Sequence, residues 1–372
     1  MDDPRLQEAR AIPIEEVANR LGLADLKRAG RELVGPCPVC GGRDRFGISP
    51  DRGVFNCRQC GGGDAIKLVE LIEGCDFKAA LSWLVGERDL QIDPAEAARR
   101  KAAAQAVADQ RAARSAKERQ YAIDAANRIW REGLPARGTP VAEYLAARGL
   151  PADLCGMPPA CLRFHPALRY TVPSQSGQGY DVVHTGPAML AEICGPDGGQ
   201  IGVHRTWIDP SRPKGKALIV GSDGAPLQVK KILGSKKGGA IRLAGSKART
   251  MVMGEGIETT LTACAAAGFD APVYFWAGVD LGNMAGRRVL RGKGMKYAGI
   301  PDLDDPDAFV PPHWLRRLVF IQDGDSDPKL TRAKLESGLR RAKHFNPDLH
   351  IQIAHAGAGV DLNDVLMDGH ND

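Results

Sequence analysis

Three hydrophobic rhythms run along this chain of 372 residues, and each predicts a different kind of structure. In the first, apolar positions recur every three to four residues. IPIEEVANRLGL, AIKLVELIEG and FKAALSWLVG, all within residues 12–86, read as short amphipathic helices. The segment AEAARRKAAAQAVADQRAARSAKERQYAIDAANRIW, residues 95–130, keeps only a weak apolar stripe. It is rich in alanine and charge and holds no Gly or Pro, so propensity alone predicts one long helix. The second rhythm is alternation, and it begins past Thr139. AMLAEICGPDGGQIGVHRTWID predicts a β-hairpin turning at Pro196–Gly199. The third is made of short solid apolar runs separated by helical stretches. TMVMG, APVYFWAG, LVFIQ and HIQIAHA read as strands, with IETTLTACAAAG and LTRAKLESGLRRAKHF as helices between them. Strands and helices in alternation predict a mostly parallel sheet with helices on its faces. The expected fold class is therefore multidomain α+β. Residues 1–90 form an N-terminal unit, 91–138 a helical connector, 139–247 a strand-rich part and 248–372 an α/β core.

Composition narrows the setting. The chain is 43% hydrophobic and 26% charged, with a net charge of +5, as a globular protein would be. No run of about 18 apolar residues predicts a membrane span. The opening MDDPRLQEARAIP carries acids where a secretory signal has a basic stretch and an apolar core, so a cytoplasmic location is expected. In that compartment thiols stay reduced. The nine cysteines then read as metal ligands plus buried small side chains, and Cys75, Cys155, Cys161, Cys194 and Cys264 fall in the second group. Arg99 to Arg119 holds seven basic residues, read as a solvated helix face.

The remaining four cysteines form two knuckles. Cys37-x₂-Cys40 and Cys57-x₂-Cys60 are sixteen residues apart, each in a Gly-rich turn. Two CxxC knuckles supply the four thiolates of a closed tetrahedral zinc site. The segment between, RDRFGISPDRGVFN, predicts two strands around a turn at Pro50–Gly53, making a β zinc ribbon. Arg43, Arg45, Phe46, Phe55 and Arg58 would give the ribbon positive charge and flat faces, which suit single-stranded nucleic acid. The alternative for Phe46 and Phe55 is the ribbon's own small core.

A second constellation is acidic. In MVMGEGIETTLTA a strand ends at Gly254-Glu255-Gly256 and a helix begins at once, which puts Glu255 at the carboxyl end of a strand. In LVFIQDGDSD, Asp323 and Asp325 follow another strand, with carboxylates at i and i+2 on one side. An oxygen-only acidic cluster suits Mg²⁺ or Mn²⁺. An EF-hand is disfavoured, since the twelfth loop position is Lys334. No stretch matches a P-loop. The nearest, LRGKGM, lacks the hydroxyl residue, so no fused helicase ATPase is expected.

The cysteine region, CPVCGGRDRF followed by FNCRQCGGGDAIKLV, resembles the zinc-binding domain of DnaG-type and phage or prophage primases, the alpha-type group in particular. GEGIETTLTA and DGDSD resemble the two acidic motifs of the Toprim domain, a Rossmann-like fold shared by those primases, topoisomerases and some nucleases. VDLNDVL resembles a later element of that domain, with Asp361 and Asp364 near the metal edge and Val360 in place of the frequent lysine. Asp327 is read as the cap of the next helix. GGQIGVHRTW and VKKILGSKKGGAIRL resemble the basic subdomain that precedes it. The resemblance implies a DNA primase with structural Zn²⁺ and catalytic Mg²⁺ or Mn²⁺ on Glu255, Asp323 and Asp325. Arg205, Lys230 and Lys231 would face triphosphate or template. Its partners would be single-stranded DNA template, ribonucleoside triphosphates and a separate helicase. A Toprim-type nuclease and a non-catalytic replication accessory protein remain the alternatives.

Overall fold

The computed structural model describes residues 5–23, 25–87, 94–150, 157–174, 179–267, 272–290, 295–322 and 327–355. The chain divides into two compact units. One joins Met1–Glu118 with Thr171–Val182, and the other joins Arg119–Tyr170 with Val183–Asp372.

The first unit opens with α1 (Arg5–Ala11) and α2 (Ile14–Arg20). An antiparallel meander follows, in the order β1 (Lys27–Ala29), β2 (Glu32–Cys37), β3 (Gly41–Ser49), β4 (Val54–Cys57) and β5 (Gly61–Gly63). The expected turn at Pro50–Gly53 is present, closed by Gly53 at φ 65 in the left-handed region. Sequence reading found β3 and β4 but not β1 or β5. β5 is three glycines, which carry no strand propensity; it exists because β4 supplies its ladder, pairing Phe55 with Gly63 and Cys57 with Gly61. Helices α3 (Ala65–Glu73) and α4 (Phe77–Val85) start at Asp64 and Asp76. Those side chains accept from the amides of Lys67 and Ala79 at 3.1 and 2.9 Å. Phe46, Ile48, Phe55, Val17, Leu68 and Leu81 are buried together as the unit's core.

Helix α5 (Pro94–Glu132) is the long alanine-rich helix. Its basic face is solvated as its composition implies: Arg99, Lys101, Arg114, Lys117 and Arg119 are exposed. Arg114 pairs with Asp51 at 2.8 Å, and Arg111 donates to the Arg10 carbonyl.

The second unit holds two sheets. The antiparallel one runs β10-β9-β8-β7-β6, built from β6 (Leu134–Pro135), β7 (Leu162–Pro173), β8 (Tyr180–Cys194), β9 (Gln200–Trp207) and β10 (Lys230–Gly234). The hairpin β8–β9 turns where the sequence placed it. The other sheet runs β11-β13-β12-β14-β15, from β11 (Ile241–Ala244), β12 (Thr250–Gly254), β13 (Val273–Ala277), β14 (Arg317–Gln322) and β15 (His350–His355). Its last four strands are mutually parallel and β11 is antiparallel to β13. Four helices complete the unit: α6 (Pro140–Ala146), α7 (Ile257–Ala266), α8 (Leu281–Ala285) and α9 (Pro328–Phe345). Ile241, Leu243, Ile257 and Leu261 bury one face of the parallel sheet; Met251, Met253, Phe320 and Leu339 bury the other. Among the described residues no helix is long and apolar enough to cross a membrane.

Candidate metal centre and anion pocket

The four knuckle cysteines converge as their spacing implies. Cys37 and Cys57 end β2 and β4, and Cys40 and Cys60 sit in the turns that follow. All four Sγ atoms lie within 4.8 Å of one another. A tetrahedral zinc with Zn–S bonds of about 2.3 Å needs sulfurs about 3.8 Å apart. Cys37 and Cys60 are 3.8 Å apart, Cys40 and Cys57 3.5 Å. The Cys60 amide donates to the Cys57 sulfur at 3.4 Å, stabilising a thiolate. The four donors fit Zn²⁺ and leave no open ligand position, so the site is structural. The other described cysteines are also unbridged: Cys161, Cys194 and Cys264 are buried and Cys75 half-buried, while Cys155 lies outside the described residues.

The ribbon's surface differs from expectation at its two phenylalanines, which take the alternative place in the core. Phe46 is fully buried, its ring 5.7 Å from that of Phe55, itself 3% exposed. Phe46 therefore belongs to the core and offers no face to a base. The alternating burial of β3 puts Phe46 and Ile48 inward. Arg43 and Arg58 are exposed, and Arg58 pairs with Asp44 at 3.2 Å. Arg45, Arg52, Asn56 and Arg58 line a cleft of about 430 Å³.

The second site lies at the carboxyl end of β12. Glu255 follows Gly254 directly, and the turn carrying it is fastened by Thr260. The Thr260 hydroxyl accepts from the Gly254 amide at 3.2 Å and donates to the Gly256 carbonyl at 2.7 Å. A Cβ on Gly254 would stand 2.8 Å from that hydroxyl, so glycine is required there. Neighbouring β13 is followed by Gly278, whose amide donates to the Gly254 carbonyl, and then by Val279 with φ 72. A β-branched residue in that region is strained.

Glu255 opens onto a pocket of about 230 Å³ whose other polar walls are Arg148, His204, Lys216, Lys230 and Glu258. Glu258, in the first turn of α7, is buried. It accepts from Lys230 Nζ at 2.9 Å and, through its other oxygen, from the Tyr144 hydroxyl. Burial alone would raise its pKa, but the Lys230 charge and these two hydrogen bonds hold it well below the usual carboxylate range. The Tyr144 hydroxyl is driven the other way, by burial and then by the Glu258 charge. Burial, and the Lys230 charge after it, push the His204 imidazole down to about 4, so it is neutral at pH 7. With His204 neutral and Lys230 answering Glu258, Arg148 and Lys216 against Glu255 leave the pocket positive.

Of the three expected basic residues, only Lys230 reaches this pocket. β9 and β10 pair Lys231 with Arg205 and Lys230 with Thr206, and side chains alternate along a strand. Arg205 and Lys231 thus face the opposite side of their sheet from Lys230. Lys231 Nζ lies 3.8 Å from the Tyr170 ring centre, and the Arg205 guanidinium 5.5 Å from that of Trp207. Burial lowers the Arg205 pKa to about 10. Sequence reasoning missed Tyr144, Arg148, Lys216 and Glu258. The one local signal was a second glutamate three residues after Glu255. Lys236 and Lys237 are paired with Asp280 and Asp307. Asp327 caps α9 by accepting from the Leu330 amide at 3.2 Å. Asp323, Asp325, Asp361 and Asp364 lie outside the described residues. β14, which ends at Gln322 just before Asp323, is the parallel neighbour of β12, with Met253 beside Phe320.

Comparison with known proteins gives two family matches. Residues 7–100 match the CHC2 zinc finger, and residues 120–243 match a domain of unknown function, DUF7146. Two solved structures are similar. One is the Aquifex aeolicus primase (zinc binding and RNA polymerase domains): 17% identity, 99% of this chain and 83% of that one covered, TM-score 0.36. The other is a DNA primase domain from Pseudomonas aeruginosa: 12% identity, 66% and 74% covered, TM-score 0.37. Superpositions at those scores do not establish a shared overall arrangement. The family match and the four converging sulfurs do agree on one segment: residues 7–100 are similar to the CHC2 zinc finger, and the four cysteines within them stand as a zinc site requires.

Proposed function

We propose that this protein is a DNA primase, making RNA primers on single-stranded DNA by metal-dependent nucleotidyl transfer. The observation that carries this reading is a CHC2 zinc ribbon in the same chain as a parallel sheet with Glu255 at the carboxyl end of β12. In this reading residues 1–90 dock the template, 91–138 connect, and 139–247 and 248–372 form the catalytic half, the latter a Toprim domain. Cytoplasmic location fits the unbridged thiols, and a separate helicase would be its partner.

Glu255, Asp323 and Asp325 are the proposed ligands of Mg²⁺ or Mn²⁺, an oxygen donor set that suits a hard cation. When bound, the ion would neutralise phosphate charge and lower the pKa of the attacking 3′-hydroxyl. The chain's own contribution is electrostatic and positional. Lys230, Arg148 and Lys216 form the cationic wall for the triphosphate. Glu258 and Tyr144 hold the Lys230 ammonium in that wall. Arg205 and Lys231, on the other face, brace the aromatic pair Tyr170 and Trp207.

The test is primer synthesis. Single-stranded template, labelled ribonucleotides and Mg²⁺ or Mn²⁺ should give short extended products. Asp323→Ala and Asp325→Ala should abolish them, and Lys230→Ala should reduce them at least tenfold. Cleavage of the template without any extension would replace this reading with a nuclease. Neither cleavage nor extension, with binding intact, would leave an accessory protein.

A further inference from the structure

We propose that the amino-terminal edge of the parallel sheet, with the aromatic groove beside it, is a second binding surface for single-stranded nucleic acid. The proposal rests on the nucleic-acid reading above but not on its catalytic part. Glu255 and the anion pocket lie at the carboxyl ends of the strands. The opposite edge is five strand residues away along β12, about 16 Å at strand rise. There the chain gathers cations. Lys247 and Arg249 precede β12, and Arg316 and Arg317 lead into β14. The Arg316 and Arg317 amides both donate to the Arg249 carbonyl, at 2.8 and 3.1 Å, so the backbone fixes these residues side by side. All four side chains are exposed.

Part of the protein's positive charge is already answered by carboxylates. Arg114, Lys230, Lys236 and Lys237 each answer a carboxylate. Among the described residues, none of Lys247, Arg249 and Arg316 joins an ion pair, and Arg317 donates to the neutral Gln352 at 2.7 Å. Among the described residues, the acids close by in the chain or on the groove's rim are Asp348, in the turn before β15, and Asp197. A surface that places like charges together without counter-charges is complementary to a polyanion.

The groove alongside has a volume of about 710 Å³ and supplies ring faces. The Tyr274 ring centre lies 5.4 Å from that of Trp314 and 5.9 Å from that of Trp276. The Arg242 guanidinium stands 4.7 Å over Trp276 and donates to the Gly195 carbonyl, while its buried Nε has no hydrogen-bond partner. Tyr274 and Trp314 are half-buried, and His313, beside Trp314, is exposed. Arg316 follows Trp314 by two residues and Lys247 follows Gly245, another lining residue of the groove, by two, so the cations adjoin the groove along the chain. Rings that accept bases beside charges that accept phosphates are what a single strand needs; a duplex keeps its base faces stacked away.

The test uses the full zinc-loaded chain. Oligonucleotides containing 5-bromodeoxyuridine should photocrosslink to peptides bearing Tyr274 and Trp314. Crosslinks confined to the ribbon would overturn the proposal. By fluorescence anisotropy, the triple variant Arg249→Glu, Arg316→Glu, Arg317→Glu should lose at least tenfold in affinity for a labelled single strand. Three lost phosphate contacts should also flatten the log–log salt dependence by about 2, at roughly 0.7 per contact. Trp314→Ala should weaken binding several-fold with the salt slope unchanged, and Trp314→Phe should restore it. Circular dichroism and melting establish that each variant is folded. Unchanged affinity in the folded triple variant, or an equal loss for duplex of the same length, would overturn the assignment. Failure of the unaltered protein to synthesise primers would strike the primase reading instead, and leave these binding results standing.

Discussion

Glu258 keeps its negative charge where water barely reaches, with 5% of its side chain exposed, because Lys230 and Tyr144 take the solvent's place. Glu258→Gln removes the charge and leaves the ammonium half-answered. Since Lys230 keeps about a third of its surface in solvent, the expected loss is on the order of 2 kcal/mol, below that of a fully buried pair and read from the urea midpoint. His204 gives the pocket a pH signature. Between pH 4 and 6.5 the unfolded chain binds a proton at this position that the folded chain refuses, so stability should climb as pH rises through that window. The span is on the order of 3 kcal/mol. Urea titrations at pH 5, 6 and 7 should show the climb, and His204→Phe should flatten it. Glu258 acts in the same direction lower down, contributing fully above its ordinary value of 4.5 and less as pH falls below it. None of this could be read from the sequence. His204, Lys230 and Glu258 are far apart in the chain, and only the pairing of β9 with β10 and the placement of α7 bring them together.

Elements were more readable than sites, and the exceptions have physical causes. α3, α4 and α9 carry their own apolar periodicity and aspartate caps, so local sequence specifies them. β5 has no side chains to signal it. β10 and β11 are separated by six residues yet belong to different sheets, which periodicity cannot express. The ribbon was found through its cysteines, whose spacing has few alternative explanations. Its dependence on zinc is testable at this scale. Chelation, or Cys57→Ser, should abolish hydrogen-exchange protection in β2 to β5 while β12 and β14 keep theirs. In α9, Arg341 is fully buried and donates to the carbonyls of Arg287, Asp302 and Asp305 at 3.2, 2.8 and 3.5 Å. The Arg287 and Asp302 carbonyls also accept from the Asp302 and Asp305 amides, so Arg341→Met would remove the charged donor from all three; a loss of about 3 kcal/mol is expected, measured by thermal or urea unfolding.

For the whole molecule, the zinc ligands and Glu255 fall in different compact units of the chain, so lesions in them should separate in function. Cys57→Ser is expected to lose template affinity while metal-dependent nucleotide binding persists. Asp323→Ala and Asp325→Ala should do the reverse, keeping template binding and losing synthesis; filter binding and primer extension on the same preparations would tell them apart. The order of elements was legible because ribbon, long helix, hairpin and alternating α/β each have their own rhythm. The separation of Arg205 and Lys231 from Lys230 was not, because a KK pair in a strand must split across two faces and the sequence does not say which one the site takes. Val279 carries this tension into protein engineering. It lines the anion pocket with its backbone in a conformation that costs a valine on the order of 1–3 kcal/mol. A search for heat-resistant variants would reach this position early, through Val279→Gly. That change relaxes the backbone and removes part of the pocket wall in the same stroke, so resistance gained there should be accompanied by altered nucleotide affinity.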